Sequence, residues 1–510
     1  MHEHPLIASA SDGFPFFRGR RELFFWAICY LLVAAGVQFL IVSVPIDADT
    51  AFHAAVGQLI RQHGILHAFP WTPFSWLADH YADKELLFHL LFVPFIGLGW
   101  ITASKIVGML LGALLLFAIF LVLKAEGVRF AGVWGLLPLV TSDVFLYRFA
   151  LVRPHLLSIT LAIVLLWTAL RGRYLLLTVV SVLYPWSYVA FWQLPLIVLG
   201  IVESARFLSG GRVRWKPAAV SVGGILIGLF VHPNALNLLA FNWIQMTDVL
   251  LKNAWLSKPG IELGLEFQPF APLQWATWLL AAVVMMLVGL AAGWRTRKQD
   301  PGLLAVALAA LVFGILTART ARFAEYFIPF SALAMALASR SIRWRGLVAV
   351  VFALSLLYTA KPLYETTQGL HAKEEIVPRQ LATWLQQRIP VGSQVFTTEW
   401  GHTGTLMLAL PDRKFIVALD PTLFEVKDPE LYRIWYTLPR HPHAGDAEII
   451  RKRFGARFVI GLFDDRFMDF YFQLSSEPGV RALLLSDEHW AVFDLGGVTN
   501  EHSVPETGRH

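Results

Sequence analysis

Residues 18–53 read RGRRELFFWAICYLLVAAGVQFLIVSVPIDADTAFH, and three properties of this stretch set the fold class. Arg18, Arg20 and Arg21 precede an uncharged, predominantly apolar run over 23–44, which is long enough to cross a bilayer core. That run exceeds the core of a secretory signal and has no small-residue cleavage site after it, so it reads as an uncleaved signal anchor. Two aspartates, Asp47 and Asp49, follow at its far end.

The rest of the chain repeats the first property. Of 510 residues, 56% are hydrophobic and 15% charged, and the mean hydropathy is +0.57, far from a soluble domain of this length. The formal charge of +6 is carried by short clusters between apolar runs, where membrane topology accounts for it, so nucleic-acid binding is excluded. The lone cysteine, Cys29, sits inside the first run, so neither an internal disulfide nor a cysteine metal cluster can form.

Basic residues between spans stay in the cytoplasm. The clusters at 18–21, 124–129, 171–173, 206–216, 295–298 and 340–345 are all satisfied by one arrangement, with the N-terminus inside. Segments 46–85, 147–153 and 232–272, the turn carrying Arg319 and Arg322, and everything after residue 361 are then outside. The parity requires residues 86–98 to form a surface helix before a span at 101–123, and residues 174–202 to cross out and back through a turn at 185–188. Further spans are expected at 131–145, 154–170, 217–231, 273–294, 302–316, 325–338 and 346–358. The fold class is thus a polytopic α-helical membrane protein of about 11 transmembrane helices with a C-terminal soluble α/β domain. Its expected divisions are a cytoplasmic tail at 1–22, a membrane module at 23–361 and an extracytoplasmic domain at 362–510. Within that domain helices are expected at 374–388 and 447–454, strands at 394–397, 415–418 and 458–461, and a final edge strand at 490–495. It contains no glycine-rich phosphate loop and no metal-spaced His or Cys set.

The residues that bear chemistry gather at the outer face. Phe52, Ala55, Val56, Leu59 and Ile60 have helical spacing, which predicts an amphipathic helix over 50–62 lying on the membrane with the acidic pair at its start. Such acids also serve as a helix cap, Asp49, and a dipole partner, Asp47. Arg148, the run Arg153-Pro154-His155, and Arg319 with Arg322 stand at outer ends of spans, against the positive-inside bias. Arginines there either snorkel to headgroups or line a wet, anion-binding cavity. His53 follows Asp49 by four residues and His89 follows Glu85 by four, spacings that bring each pair onto one helix face, either to share a metal, for which no complete ligand set is visible, or to place hydrogen-bonding histidines at the interface. Glu262 and Glu266 lie in a later outer segment.

Together, Asp47-Ala48-Asp49-Thr50-Ala51-Phe52-His53, then Gly57, His63-Gly64, Pro73-Phe74-Ser75 and Lys84-Glu85-Leu86, with the arginine-bearing outer turns and the terminal outer domain, resemble the GT-C superfamily of membrane glycosyltransferases. The loop is most similar to an uncharacterised bacterial branch related in architecture to protein O-mannosyltransferases and lipid A aminoarabinose transferases. It departs from the mannosyltransferase pattern of adjacent acids and a later His-Pro-Pro. The resemblance implies a bacterial inner-membrane enzyme that moves a sugar from a polyprenyl-phosphate donor to an acceptor at the periplasmic face, with inversion. It implies Asp49, or failing that Asp47, as the catalytic acid-base group, Arg153, Arg322 and Arg148 in that order on the donor phosphate, and His53, Glu85, His89 and Glu266 as acceptor or metal groups. A divalent metal is compatible with this scheme and not required by it. The partners implied are the lipid-linked sugar, the bilayer, and a glycan, lipid or protein acceptor. A transporter or flippase of a lipid-linked or anionic substrate is the alternative, and would favour inverted repeats and charges near span centres; neither is found. A scaffold whose outer domain binds a partner rests only on Tyr432, Trp435 and Tyr436.

Overall fold

In the computed structural model the first apolar run forms a helix, Arg20–Gly36, that continues through a wider turn to Ile41. The residues described are 19–45, 47–256, 258–261, 263–342, 344–372, 377–418, 421–485 and 490–496. Most of the expected N-terminal tail, Ile46, Glu262, Arg343 and the start of the helix expected at 374 lie outside them. Among the described residues, five helices are long and apolar enough to cross a membrane: Arg20–Ile41, Trp100–Ala125, Pro272–Thr296, Pro301–Arg319 and Leu347–His371. Two further pairs, each broken by a sharp bend, raise the number to seven if each pair is one span.

The chain divides into two compact units. The first comprises residues 1–50, 83–242 and 264–374. As the charge parity required, 86–98 does not make a second pass: Leu86–Phe92 is a short helix, and one helix of 26 residues, Trp100–Ala125, follows. The segment expected to cross out and back forms two helices, Tyr174–Ser187 and Gln193–Leu208, of 14 and 16 residues, both shorter than the five spanning helices. The span expected at 131–145 is instead three short pieces, Ala131–Trp134, Leu137–Thr141 and Asp143–Ala150, interrupted near Gly135 and at the Ser142 cap.

Without a hydrophobic drive between helices in lipid, close approach through small residues holds them together. Gly224 and Gly228 of Trp215–Val231 let Tyr174–Ser187 pack so near that a Cβ at Gly228 would lie 2.3 Å from the Val182 carbonyl oxygen. Ser181 and Ser221 hydrogen-bond across the same seam at 2.8 Å. Ala324–Ala338 is buried along its whole length and packs against Pro301–Arg319 and Leu280–Thr296. It begins with Glu325, a carboxylate carried into the interior and therefore in need of a cation.

The second unit comprises residues 51–82, 243–263 and 375–510. Its five-stranded sheet has the order β2-β1-β3-β5-β4. Strands β1 (Gln394–Thr397), β2 (Lys414–Phe415) and β3 (Phe458–Leu462) are parallel, while β5 (Trp490–Asp494) is antiparallel to β3 and to β4 (Arg481–Leu485). The strand expected at the edge, 490–495, is interior. All five residues of β5 are buried, and the largely exposed β4, which has no clean alternation to betray it, takes the edge. The first outer loop is part of this unit: Trp71 donates Nε1 to the Pro411 carbonyl at 2.7 Å, and Phe74 packs on Phe424 and Phe454. The amphipathic helix spans Ala48–His63, and its apolar face, Phe52, Ala55, Val56, Leu59 and Ile60, is buried in protein rather than laid on lipid.

Candidate active site

A broken span creates the site. Asp143–Ala150 and His155–Arg171 meet at a bend of 112°, and Arg153 lies in the break. Breaking a helix at membrane depth strands backbone carbonyls, each costly unless paired. Three side chains pair them here. Gln38 Nε2 donates to the Ala150 carbonyl at 3.0 Å, Thr50 Oγ1 to that of Val152 at 3.3 Å, and His155 Nε2 to that of Arg148 at 2.8 Å. Gln38 is thus a polar residue in the first span with a structural task.

The break holds Arg153 against the first loop. Its Nη1 lies 2.8 Å from Asp49 Oδ2 and its Nε 3.4 Å from Asp47 Oδ2. Nη1 also donates to Glu266 Oε1 at 3.2 Å. Of the two roles that helix capping offered these aspartates, the structure reverses the assignment. Asp47 is the cap, accepting from Thr50 N–H at 2.5 Å, whereas Asp49 lies in the first turn facing Arg153. The reason is register: the helix starts at Ala48, which puts Asp47 at the capping position.

Glu266 is shared. Beyond Arg153, its carboxylate lies 3.7 Å from Arg322 Nη1 and 3.9 Å from Arg148 Nη1. Arg148 is committed elsewhere, donating Nε at 3.1 Å and Nη2 at 2.6 Å to Glu325 Oε2, a pair that is almost wholly buried. Arg322 is the least neutralised. Its guanidinium packs over the rings of Phe267 and Tyr188, and its buried Nε has no hydrogen-bond partner among the described residues.

These fields move the carboxylates apart. Burial pushes Asp49 up to about 6, against the pull of Arg153 and with the help of Asp47 and Glu266. Burial would also raise Glu266, but Arg153, Arg148 and Arg322 outweigh it and hold that carboxyl down to about 2. Burial thus raises Asp49 while three arginines lower Glu266, and the Asp49 side chain remains 28% exposed.

All three predicted arginines and three of the predicted carboxylates, Asp47, Asp49 and Glu266, are thus in one network. His89 meets the acid its spacing indicated, the ligand atoms of Glu85 and His89 lying within 4.8 Å of each other, and it gains a second: its Nδ1 lies 2.8 Å from both oxygens of Asp83. His53 is buried on the Ala48–His63 helix in the second unit. Sequence reasoning missed Glu325 and Asp83. A carboxylate at the start of an otherwise uncharged span, three residues after Arg322, was the available signal for Glu325.

No family model matches the sequence, and no curated protein matches it. Solved structures do. An archaeal oligosaccharyltransferase, AglB from Archaeoglobus fulgidus in complex with an inhibitory peptide and a dolichol-phosphate, aligns over 89% of this chain and 71% of its own at 13% identity and a TM-score of 0.61. The Archaeoglobus fulgidus enzyme in complex with zinc and sulfate aligns over 88% and 70% at 14% identity and a TM-score of 0.57. ArnT from Cupriavidus metallidurans bound to undecaprenyl phosphate aligns over 93% of this chain and 99% of its own at 12% identity and a TM-score of 0.56. These likenesses show that the chain has the fold of the archaeal oligosaccharyltransferase and of ArnT, in keeping with the GT-C resemblance of its first loop and outer arginines.

Proposed function

We propose that this chain is an inner-membrane glycosyltransferase that takes a sugar from a polyprenyl-phosphate donor and gives it to an acceptor at the extracytoplasmic face. The observation that carries the reading is the meeting of an acid poised near neutrality, Asp49, with a partly uncompensated arginine, Arg322, through the shared carboxylate of Glu266. Two structures with this fold add support, since they hold dolichol-phosphate and undecaprenyl phosphate. A polyprenyl tail must stay in hydrocarbon, so a site at the end of the spans suits it.

In the proposed reaction the acceptor O–H or N–H loses its proton to Asp49 as its lone pair forms a bond to the anomeric carbon. The bond from that carbon to the phosphate oxygen breaks, its electron pair leaving with the lipid phosphate. Attack opposite the leaving group inverts the centre. Arg322 takes the leaving phosphate, because its fork suits phosphate oxygens and its charge is the least spent. Arg153 orients Asp49, and Arg148 anchors Glu325. In the proposed topology the N-terminus is cytoplasmic, the chain makes about 11 passes, and the C-terminal domain beyond the Leu347–His371 helix lies outside.

The test is turnover. Purified protein in detergent, given undecaprenyl-phosphate-linked sugars and an envelope extract as acceptor, should release undecaprenyl phosphate, and Asp49→Asn should not. The second reading, a transporter, has the bent helix pairs in its favour, since broken helices also build carrier sites. Movement of labelled lipid-linked sugar across proteoliposomes, without cleavage, would favour it and sink the transferase.

A further inference from the structure

Hard divalent cations are held by converging carboxylate oxygens, and Asp47, Asp49 and Glu266 are such a set. A neighbouring structure of this fold was obtained with zinc, so the fit of a metal to these residues is a question for this chain. They do not fit one. The point on which the three carboxylates converge is taken by the Arg153 side chain, with Nη1 at 2.8 Å from Asp49 and 3.2 Å from Glu266 and Nε at 3.4 Å from Asp47. The other Asp47 oxygen is bound to the Thr50 amide at 2.5 Å. On the far side of Glu266, Arg322 and Arg148 stand 3.7 Å and 3.9 Å away. A dication entering here would compete with one guanidinium for every ligand and face two more. A metal also demands its oxygens at roughly 2–2.6 Å, closer than a guanidinium holds them.

We propose that Arg153 is the built-in counter-cation of the first-loop carboxylates, standing where a divalent ion would otherwise be held, so that this cluster takes no divalent metal. An arginine suits the post because it stays charged at any working pH and its planar fork fixes the direction from which each carboxylate is met. The cluster is then indifferent to chelators and to metal supply. The inference stands on the geometry and not on the proposed reaction, because metal occupancy is read without turnover.

The experiment is a Mn2+ titration of the purified full-length protein, stripped with chelator and followed by the electron paramagnetic resonance of the free ion. Wild type and Asp49→Asn should give the same binding curve, whatever ions bind elsewhere. Arg153→Gln removes the cation but leaves the carboxylates, and should bind Mn2+ at least about tenfold more tightly, the gain disappearing in the Arg153→Gln/Asp49→Asn double variant. A wild-type site that vanishes in Asp49→Asn overturns the proposal. So does a folded Arg153→Gln protein with no gain, since the guanidinium would not then be what keeps the ion out. If Arg153→Gln fails to fold, the comparison of wild type with Asp49→Asn still decides.

Discussion

Arg153 Nη1 lies 2.8 Å from Asp49 Oδ2 and 3.2 Å from Glu266 Oε1, so a single guanidinium joins the first loop to a segment that precedes a much later span.

Replacing Asp49 by Asn should remove transfer without harming the fold. General-base loss typically costs 10²–10⁴ in rate, so turnover should fall by at least about a hundredfold. Ionised Asp49 is held against its burial, and Asn relieves that cost. The variant should therefore melt at or above the wild-type temperature at pH 7.5, measured by thermal unfolding in detergent. Asp47→Ala should do the opposite, losing about 1 kcal/mol of stability with the helix cap. Wild-type turnover in Asp49→Asn would end the assignment of the base.

The raised carboxyl of Asp49 sets a pH profile. Only its ionised form accepts a proton, so kcat/KM should climb about tenfold per pH unit below about 6 and level off above it. Stability runs the other way. Between roughly pH 4 and 6 the folded chain holds a proton that the unfolded chain has released, so raising the pH through that window should destabilise the protein, with the cost complete above about 6. Profiles of wild type against Asp49→Asn separate this group from the rest. An acid limb that survives in the residual activity of the variant belongs to another group.

Arg322 should dominate donor binding. Arg322→Ala should weaken undecaprenyl phosphate by about ten- to a hundredfold, the equivalent of about 1.5–3 kcal/mol for a hydrogen bond to a charged group. Arg322→Lys should recover only part of it, because the fork is lost and the charge kept. Titration by tryptophan fluorescence or calorimetry reads the three proteins directly. Equal affinities would mean that this side chain serves only to stack on Phe267 and Tyr188.

Glu325 should matter for stability more than for chemistry. It is fully buried and accepts both Nε and Nη2 of Arg148, so Glu325→Ala leaves a buried guanidinium uncompensated. A loss of about 3–5 kcal/mol is expected, seen as a sharp drop in melting temperature or in yield of inserted protein. The double variant Glu325→Leu/Arg148→Met should regain much of it. A Glu325→Ala protein as stable as wild type would show that Arg148 is solvated after all.

The topology is open to labelling in intact cells. A cysteine placed at Ser393, in a Cys29→Ser background, should react with a membrane-impermeant maleimide, and one at Ser209, beside the basic cluster at 206–216, should not. Labelling at Ser209 from outside would invert the arrangement.

What the sequence determined by itself is what one-dimensional patterns encode. Apolar length identified Trp100–Ala125 and Pro301–Arg319 as helices able to cross a membrane, and the charge clusters set the expectation, met in the helices, of a single one of that length within 86–125. Arginines placed against the positive-inside bias marked the site because an intramembrane charge must have a partner. What only the tertiary structure decided is which partner. Asp47 rather than Asp49 became the cap through a shift in helix register, His89 gained Asp83 two positions before the Glu85 that its spacing indicated, and Glu325 claimed Arg148. Loop residues 51–82 likewise joined the C-terminal unit through Trp71 and Phe74, and β4 took the edge expected of β5. Each of these pairs residues far apart in the chain or shifts a register by one or two positions, and the spacing of residue types along a sequence carries neither kind of information.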